Sequence, residues 1–357
     1  MVLGPGHNSL MRRSRQCWPG GTTSPDPPAR VWPLAAGLAA GVALDALLGD
    51  PRRGHPVAAF GRAAAALEAR DYADSRLRGA AHAAACVLAV AAPAALLHRR
   101  TRGRPPSQAA AAALAVWAVT GARSLHLAAE RSMVALAGND LASARRVLPS
   151  LCGRDPAGLG APEMARAVIE SVAENTCDAV VAPLLWGAVA GLPGLAAYRA
   201  VNTLDAMVGY RSPRYLRFGW ASARLDDAVN WVPARVTAAL TIACAAMVPL
   251  PGTSAQSPPA EGLRVPGPAA AAARAVLRDG ARHPSPNAGR CEAAFAGALG
   301  LRLGGTNVYG GVAEVRPGLG EGRAPEPDDI RRAIRLSRAV TAAATGLAVL
   351  IALTRGA

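Results

Sequence analysis

The chain has 357 residues, of which 51% are hydrophobic and 18% are charged, and its formal net charge is +15. The arginines flank long apolar blocks, which indicates contact with an anionic membrane surface. Nucleic-acid binding is not indicated, because the chain carries no motif for it. The six cysteines include no Cys-x-x-Cys pair, which argues against a structural zinc site or a disulfide framework. We interpret them as reduced, apolar residues.

Apolar residues are grouped in blocks whose lengths are typical of membrane spans. The third block runs into Arg123, His126 and Glu130, so we expect that helix to leave the membrane or to line a polar cavity. Gly191 and Pro193 interrupt the fourth block, which predicts a kinked helix packed inside protein. Together the blocks predict an all-α fold, a multi-pass integral membrane helical bundle. They are Val31–Leu48, Ala80–Leu97, Ala109–Val119, Ala179–Ala197, Val236–Leu250 and Arg338–Leu353.

The remaining segments define the domain organisation. Residues 1–30 are rich in Gly, Pro, Ser and Arg and lack periodicity, so we predict a disordered N-terminal extension. Residues 31–357 form a single membrane domain, with a flexible linker at about 251–268. We predict a charged, proline-rich surface segment at 317–338. Short helices are predicted at Asn139–Leu148, Ala269–Ala281 and Glu292–Leu301.

An acidic helix precedes the fourth apolar block. Proline at position 162 is typical of the first turn of a helix. On that helix Glu170, Glu174 and Asp178 are four residues apart, and only Arg166 lies near them. Like charges at this spacing destabilise a helix by roughly 0.2–0.5 kcal/mol per pair. A metal ion or a cationic substrate would offset this cost, and a solvated acidic face is the alternative.

Further polar groups follow the fourth block and the first. Asp226 and Asn230 are one helical turn apart, and Asp227 is three residues from Asn230. Carboxylate and amide oxygens at this spacing are suited to Mg²⁺ carrying a phosphorylated ligand, or to a hydrogen-bonded pair on one helix. After the first block, Asp50 and His55 are the chemically capable groups in a turn rich in proline and glycine.

A glycine-rich segment, residues 304–311, is predicted to be a loop. Backbone N–H groups in such loops can cradle phosphate. The segment is not a Walker A motif, because no Gly-Lys-Ser/Thr sequence occurs. We expect the polar stretches between the apolar blocks to come together in one site at a membrane face.

Several motifs, in order along the chain, are similar to those of one family. They are Leu48–Arg53 with His55–Val57, Glu170–Thr176, Val201–Asp205 with Met207–Arg211, Phe218–Asp227 with Asn230–Arg235, His283–Gly289, and Leu303–Gly305 with Asn307–Gly311. From about Val31 onwards the chain resembles the CobD/CbiB family of cobalamin biosynthesis, the adenosylcobinamide-phosphate synthases. This sequence has Cys177 and Ala206 where we expect serine, and Arg290 where the family usually has tryptophan.

The resemblance implies a multi-pass protein of the inner cell membrane. The implied reaction joins the ring D propionate of adenosylcobyric acid to (R)-1-amino-2-propanol or its phosphate, with consumption of ATP. Cytoplasmic substrates imply that the polar loops face the cytoplasm, although the Arg52–Arg53 and Arg99–Arg104 clusters favour conflicting topologies. Other cobalamin-assembly enzymes are possible partners, and no nucleic acid is expected.

This chemistry suggests roles for the polar residues. Mg²⁺, which ATP requires, needs oxygen ligands, and catalysis needs proton acceptors and donors to phosphate. The metal candidates are Glu170, Glu174, Asp178, Asp205, Asp226 and Asp227. The catalytic candidates are His55 and His283 as proton acceptors, and Arg211 and Arg224 as phosphate donors. The candidates for binding substrate or phosphate are Asn175, Asn202, Ser285, Asn287, Gly304, Gly305, Asn307 and Gly310.

Two other functional classes stay open. One is a non-catalytic membrane signalling or scaffold protein that resembles AmpE, a relative of the family. The His283–Gly289 and Asn307–Gly311 segments argue against it, because a scaffold has no need of them. The other is a corrinoid transporter. The charges are confined to the ends of the apolar blocks, which argues against a translocation path through the membrane.

Overall fold

The computed structural model describes residues 32–51, 54–249, 267–309 and 312–355. Within these ranges the chain forms fourteen α-helices and one two-stranded antiparallel hairpin. The helices are α1 Trp32–Leu48, α2 Pro56–Asp71, α3 Arg76–Thr101, α4 Pro105–Val119, α5 Ala122–Ala137, α6 Leu141–Val147, α7 Ala161–Thr176, α8 Ala182–Val208, α9 Tyr215–Phe218, α10 Trp220–Val229, α11 Trp231–Met247, α12 Pro268–Asp279, α13 Ala288–Leu299 and α14 Pro327–Thr354. The strands are β1 Leu303–Tyr309 and β2 Val312–Leu319. The predicted N-terminal extension, most of the predicted linker and Gly310 lie outside the described residues.

The helices confirm the prediction of a multi-pass membrane bundle. In the described ranges, four helical stretches are long and apolar enough to cross a membrane, or five if α10 and α11, bent by 43° at their junction, form one span. Three of the four are α3, the stretch Pro105–Ala137 and α14. The fourth, Ala161–Val208, is the most buried of them, as expected for a helix surrounded by protein.

One large apolar core holds the bundle together. α1 packs on α4, α3 packs on α8, and α12 packs on α13. α14 contacts α1, α5, α7, α8 and α11, so it lies at the centre of the bundle. Ile330, Ile334, Leu336 and Val340 of α14 are all fully buried. Ile334 and Leu336 point to nearly opposite sides of the helix, as expected for a helix with neighbours on several sides.

The acidic helix α7 continues into α8 through an irregular turn. Residues Cys177–Val181 form a single π-helical turn, and α8 follows without a break in the chain direction. Within α8, Gly191 has φ 65° and ψ −154°, a conformation that bends the helix and that L-residues with a side chain rarely adopt. The predicted kink in this block is therefore confirmed, and it lies at the glycine two residues before Pro193.

Two sequence-based expectations about the C-terminal region were wrong. Residues 304–309 of the glycine-rich segment form most of β1, which pairs with β2 through Thr306 with Val315 and Asn307 with Glu314. The proline-rich segment predicted at 317–338 contains the end of β2 and the first turns of α14. Glu326 and Asp329 form a reciprocal capping box at the start of α14, and Pro327 occupies its first turn.

Candidate active site

A small polar pocket forms where three helices are interrupted. These breaks are the π-turn between α7 and α8, the bent junction of α10 with α11, and the N-terminus of α13. Helix breaks leave backbone and side-chain polar groups that need partners, so in a membrane protein they face a cavity. The pocket is lined by Glu174, Cys177, Asp178, Asp226, Asn230, Ser285, Asn287, Ala288 and Cys291. Three of the polar stretches singled out in the sequence therefore meet here.

An amide-rich network fixes two of the carboxylates. The Asn202 Nδ2 atom of α8 donates to Asp178 Oδ2 at 3.3 Å and to Asp226 Oδ1 at 3.4 Å. Asn230 Nδ2 donates to Asp226 Oδ2 at 3.1 Å. The buried Tyr198 hydroxyl donates to Asn230 Oδ1 at 2.9 Å. These donors are neutral, so they orient the two carboxylates without cancelling their negative charge.

Ser285 and Asn287 belong to the loop that starts α13. The Ser285 hydroxyl oxygen accepts from the backbone N–H groups of Asn287 at 3.3 Å and Ala288 at 3.2 Å, at the start of the helix. Asn287 Nδ2 donates to the Asp227 backbone oxygen at 2.8 Å. This contact ties the start of α13 to the end of α10. Both predicted binding residues therefore also shape the wall of the pocket.

Glu170 has a different environment from the other acidic residues of α7. One of its carboxylate oxygens accepts from the buried Arg154 guanidinium, and the other accepts from the Gly304 N–H at 2.7 Å. The Arg166 guanidinium donates to the backbone oxygens of Gly304 and Thr306. α7 thus binds the backbone of β1 through both residues. The Gly304 N–H, predicted to cradle phosphate, is already used by Glu170.

A second buried ionic cluster lies under β2. His283 Nε2 is 3.9 Å from Glu292 Oε1 and 3.1 Å from the Arg316 guanidinium, and both His283 and Glu292 are buried. Burial, followed by the positive charge of Arg316, lowers the pKa of His283 to about 4. Burial, followed by the negative charges of Glu170 and Glu174, raises the pKa of Glu292 well above its usual range.

Both ring nitrogens of the two predicted catalytic histidines have polar neighbours. His55 Nδ1 accepts from the Val57 N–H at 3.2 Å, so a neutral His55 carries its proton on Nε2, which is 3.8 Å from Asp50 Oδ1. His283 Nε2 lies 3.1 Å from the Arg316 guanidinium, and its Nδ1 accepts from the Ser285 N–H at 3.0 Å and lies 3.3 Å from the Ser285 oxygen. Either histidine must exchange a hydrogen bond before it accepts a proton.

The other predicted residues lie at varying distances from the pocket. Asp205 is half-buried on α8, within electrostatic range of Glu174, Asp226 and Asp227. Arg224, 69% exposed, pairs with Asp227 at 3.6 Å. Three more have partners elsewhere: exposed Arg211 acts on Asp227, Asn175 donates to Ser171 within α7, and Asn307 accepts from Arg166. Gly305 lies beside the Arg166 guanidinium.

Four residues of this region were missed by sequence reasoning, namely Arg154, Tyr198, Glu292 and Arg316. Glu292 offered a signal, because it is a single charge in the otherwise apolar run Cys291–Gly300. Arg154 and Arg316 offered none, because an arginine beside a proline turn or in a short strand has no distinctive pattern.

The fold and the site define a class of protein. It is a helical membrane bundle with a carboxylate-lined polar pocket at its helix breaks. The chain belongs to the CobD/Cbib protein family, whose family model matches residues 38–337.

Several relatives carry the name "Cobalamin biosynthesis protein CobD". The relative from Mycobacterium bovis is 52% identical over 328 residues, which are 92% of this chain and 99% of the relative. The relative from Geobacter metallireducens is 44% identical over 78% of this chain and 84% of its own length. The relative from Rhodobacter capsulatus is 39% identical over 89% of this chain and 98% of its own length. No solved structure matches the chain.

Proposed function

We propose that the protein acts in cobalamin biosynthesis as an adenosylcobinamide-phosphate synthase. It would join the ring D propionate carboxyl of adenosylcobyric acid to (R)-1-amino-2-propanol or to its phosphate, in a reaction that consumes ATP. The observation that carries the proposal is the convergence of Glu174, Asp178 and Asp226 with Ser285 and Asn287 in one pocket of a chain from this family. The inner membrane and a cytoplasmic orientation of the pocket are part of the proposal.

Amide formation sets the chemical requirements. A carboxylate does not react with an amine until one of its oxygens becomes a leaving group. ATP would supply that activation by transferring a phosphoryl group, and attack by the amine nitrogen would then release phosphate and a proton. The exposed guanidinium groups of Arg211 and Arg224, which both act on Asp227, are proposed to bind the phosphates.

The donor set of the pocket fits Mg²⁺. Glu174, Asp178 and Asp226 offer carboxylate oxygens, the ligands that Mg²⁺ prefers. When bound with ATP, Mg²⁺ neutralises phosphate charge and orients the phosphoryl group. In the part of the chain that the structure describes, no group of three or more His, Cys, Asp or Glu side chains is arranged as a preformed metal site. We therefore propose that Mg²⁺ binds together with ATP and keeps several water ligands, as is usual for this ion.

The test uses membranes from cells that express the protein. They are incubated with adenosylcobyric acid, ATP, Mg²⁺ and either amine, and the corrinoid is followed by mass spectrometry. We expect an ATP-dependent mass gain equal to the amine minus water, and the more efficient amine identifies the acceptor. No gain with either amine, from protein shown to be folded in the membrane, would overturn the proposal.

Two substitutions test the pocket itself. Glu174→Gln and Asp226→Asn keep the side-chain shape and remove the charge, and we expect each to lower kcat/KM by about 100-fold. The matched control is Asp74→Asn, because Asp74 is an exposed acid paired with exposed Arg217. Wild-type rates in both pocket variants would exclude these carboxylates from the reaction.

A further inference from the structure

Three buried polar atoms near the end of α1 lack hydrogen-bond partners among the described residues. They are Asp45 Oδ1, Asp50 Oδ1 and Arg199 Nε. A buried polar atom without a partner costs free energy, so such atoms are uncommon and several in one region mark a candidate binding site. None of these three residues lines the pocket described above.

Asp45 is buried, and one of its carboxylate oxygens has no hydrogen-bond partner. The residue is 1% exposed, and its Oδ2 atom accepts from the Arg123 N–H at the start of α5 at 3.2 Å. The Arg123 side chain bonds the Ala46 and Leu47 backbone oxygens, which closes the end of α1. The Arg123 guanidinium therefore donates to the backbone of α1, and Asp45 Oδ1 has no hydrogen-bond donor.

The negative charge of Asp50 acts on Asp45. Asp50 follows the turn at Gly49, whose backbone oxygen is fixed by the Trp117 indole N–H at 2.9 Å. His55 Nε2 lies 3.8 Å from Asp50 Oδ1, beyond hydrogen-bond distance. Asp45 and Asp50 are therefore two carboxylates within electrostatic range of each other, and each has a buried oxygen without a hydrogen-bond donor.

Arg199 connects this region to the candidate active site. Its guanidinium lies within electrostatic range of both Asp50 and Asp178. Its Nη1 atom donates to Asn202 Oδ1 at 3.3 Å, and Asn202 in turn donates to Asp178 and Asp226. Arg199 thus interacts with both Asp50 and the amide network of the pocket, and its Nε donor is unused.

We propose that Asp45, Asp50 and Arg199 form the binding subsite for the amine acceptor, an inference that rests on the proposed function. The primary ammonium group would donate to Asp45 Oδ1 and Asp50 Oδ1. Arg199 Nε would donate to the oxygen two carbons away, which belongs to a hydroxyl or a phosphate ester. An ammonium group carries three donors and no acceptor, so it can donate to both carboxylate oxygens. Together with the charge of Arg199, it balances the two carboxylate charges, whereas a neutral alcohol leaves one of them buried without a counter-charge.

The experiment measures amine binding apart from turnover. Purified protein in lipid nanodiscs is equilibrated with radiolabelled 1-amino-2-propanol without ATP or corrinoid, and propane-1,2-diol serves as a competitor that lacks the ammonium group. Asp50→Asn is the main variant, because Asp50 is partly exposed and the variant should fold. Asp45→Asn is the second variant, and Asp74→Asn is the exposed control.

We expect at least tenfold weaker amine binding in both variants, unchanged binding in the control, and no competition by the diol. In turnover assays the KM for the amine should rise at least tenfold, while the KM for adenosylcobyric acid stays within twofold. Unchanged amine binding in both variants would overturn the inference. So would a changed Mg²⁺ requirement with an unchanged KM for the amine, because the carboxylates would then serve a metal.

Different results test the synthase reaction and the amine subsite. A wild-type protein that binds the amine but forms no corrinoid product contradicts the synthase reaction and leaves the subsite intact. A wild-type protein that forms product, with Asp45 and Asp50 variants whose KM for the amine is unchanged, contradicts the subsite and leaves the reaction intact.

Discussion

The acid sensitivity of the fold should depend on His283. The folded protein holds its pKa at about 4, below the ordinary value of 6.5, because the imidazole is buried beside Arg316. As the pH falls below 6.5, an unfolded chain takes up a proton at this residue that the folded chain does not. The stabilisation from neutral His283 is thus present above pH 6.5 and is lost as the pH falls towards 4.

The size of the effect follows from the two pKa values. A depression from 6.5 to about 4 corresponds to about 3 kcal/mol in total, of which about 2 kcal/mol is lost between pH 8 and pH 5. Adjacent Glu292 acts in the opposite sense, since its raised pKa adds stability as the pH falls. The comparison is therefore made in a Glu292→Gln background, with and without His283→Gln, whose amide oxygen can still accept from Arg316.

The assay is thermal unfolding of detergent-solubilised protein at pH 8 and pH 5. We expect Tm of the Glu292→Gln protein to fall by about 4 °C more than Tm of the double variant, at roughly 2 °C per kcal/mol for a large domain. Equal losses in the two proteins would refute the assignment of a neutral, buried His283. A larger loss in the double variant would refute the sign of the argument.

Three further predictions concern the hairpin, its anchoring and the metal. Arg154→Met should destabilise the protein by about 3–5 kcal/mol in thermal unfolding, because it leaves Glu170 buried without its cation. The control Arg338→Met breaks the exposed pair with Glu130 and should cost less than about 1 kcal/mol. Equal costs would contradict the burial of the Arg154–Glu170 pair. Gly304→Ala should lower Tm, because φ is +81° and the new Cβ would lie 2.1 Å from the Pro317 oxygen. In the control Gly318→Ala the new Cβ meets no atom within 4 Å, so Tm should not change. An unchanged Tm in Gly304→Ala would contradict the hairpin geometry. Removal of Mg²⁺ with EDTA should abolish corrinoid product and re-addition should restore it, and turnover in EDTA would exclude the ion.

The helices could be predicted from the sequence where one apolar face or block dominates. The predicted block Val31–Leu48 corresponds to α1, and the predicted helix Ala269–Ala281 corresponds to α12, with ends that differ by one or two residues. α14 was predicted to begin at Arg338 and begins at Pro327. Its first turns are charged, so hydropathy alone misses them, although the capping residues Glu326 and Asp329 mark the true start.

The hairpin could not be predicted, because the contacts that hold it come from far away in the sequence. β1 begins with Leu-Gly-Gly, which on its own is typical of a loop. Glu170 and Arg166 bind its backbone from more than 130 residues away. Local pattern carries no information about such partners, and the same holds for Arg154 and Arg316.

The meeting of polar stretches at one site was predictable, but the division of labour among the acidic residues was not. Regular spacing suggested that Glu170, Glu174 and Asp178 act together. The structure pairs Glu170 with Arg154 and β1, while Glu174 and Asp178 line the pocket. Helical periodicity predicts on which face of a helix a residue lies, but it does not predict which residue of another element contacts that face.

The π-turn at Cys177–Val181 has a consequence for how this region can vary. A π-turn holds one residue more than an α-turn, and each helical residue advances the helix by about 100°. Removing one residue there would restore a regular helix and rotate all of α8 by about that angle about its axis. Tyr198 and Asn202 would then turn away from Asn230 and Asp178. The phase of this helix is thus set by chain length, so the region should accept exchanged side chains more readily than single-residue insertions or deletions.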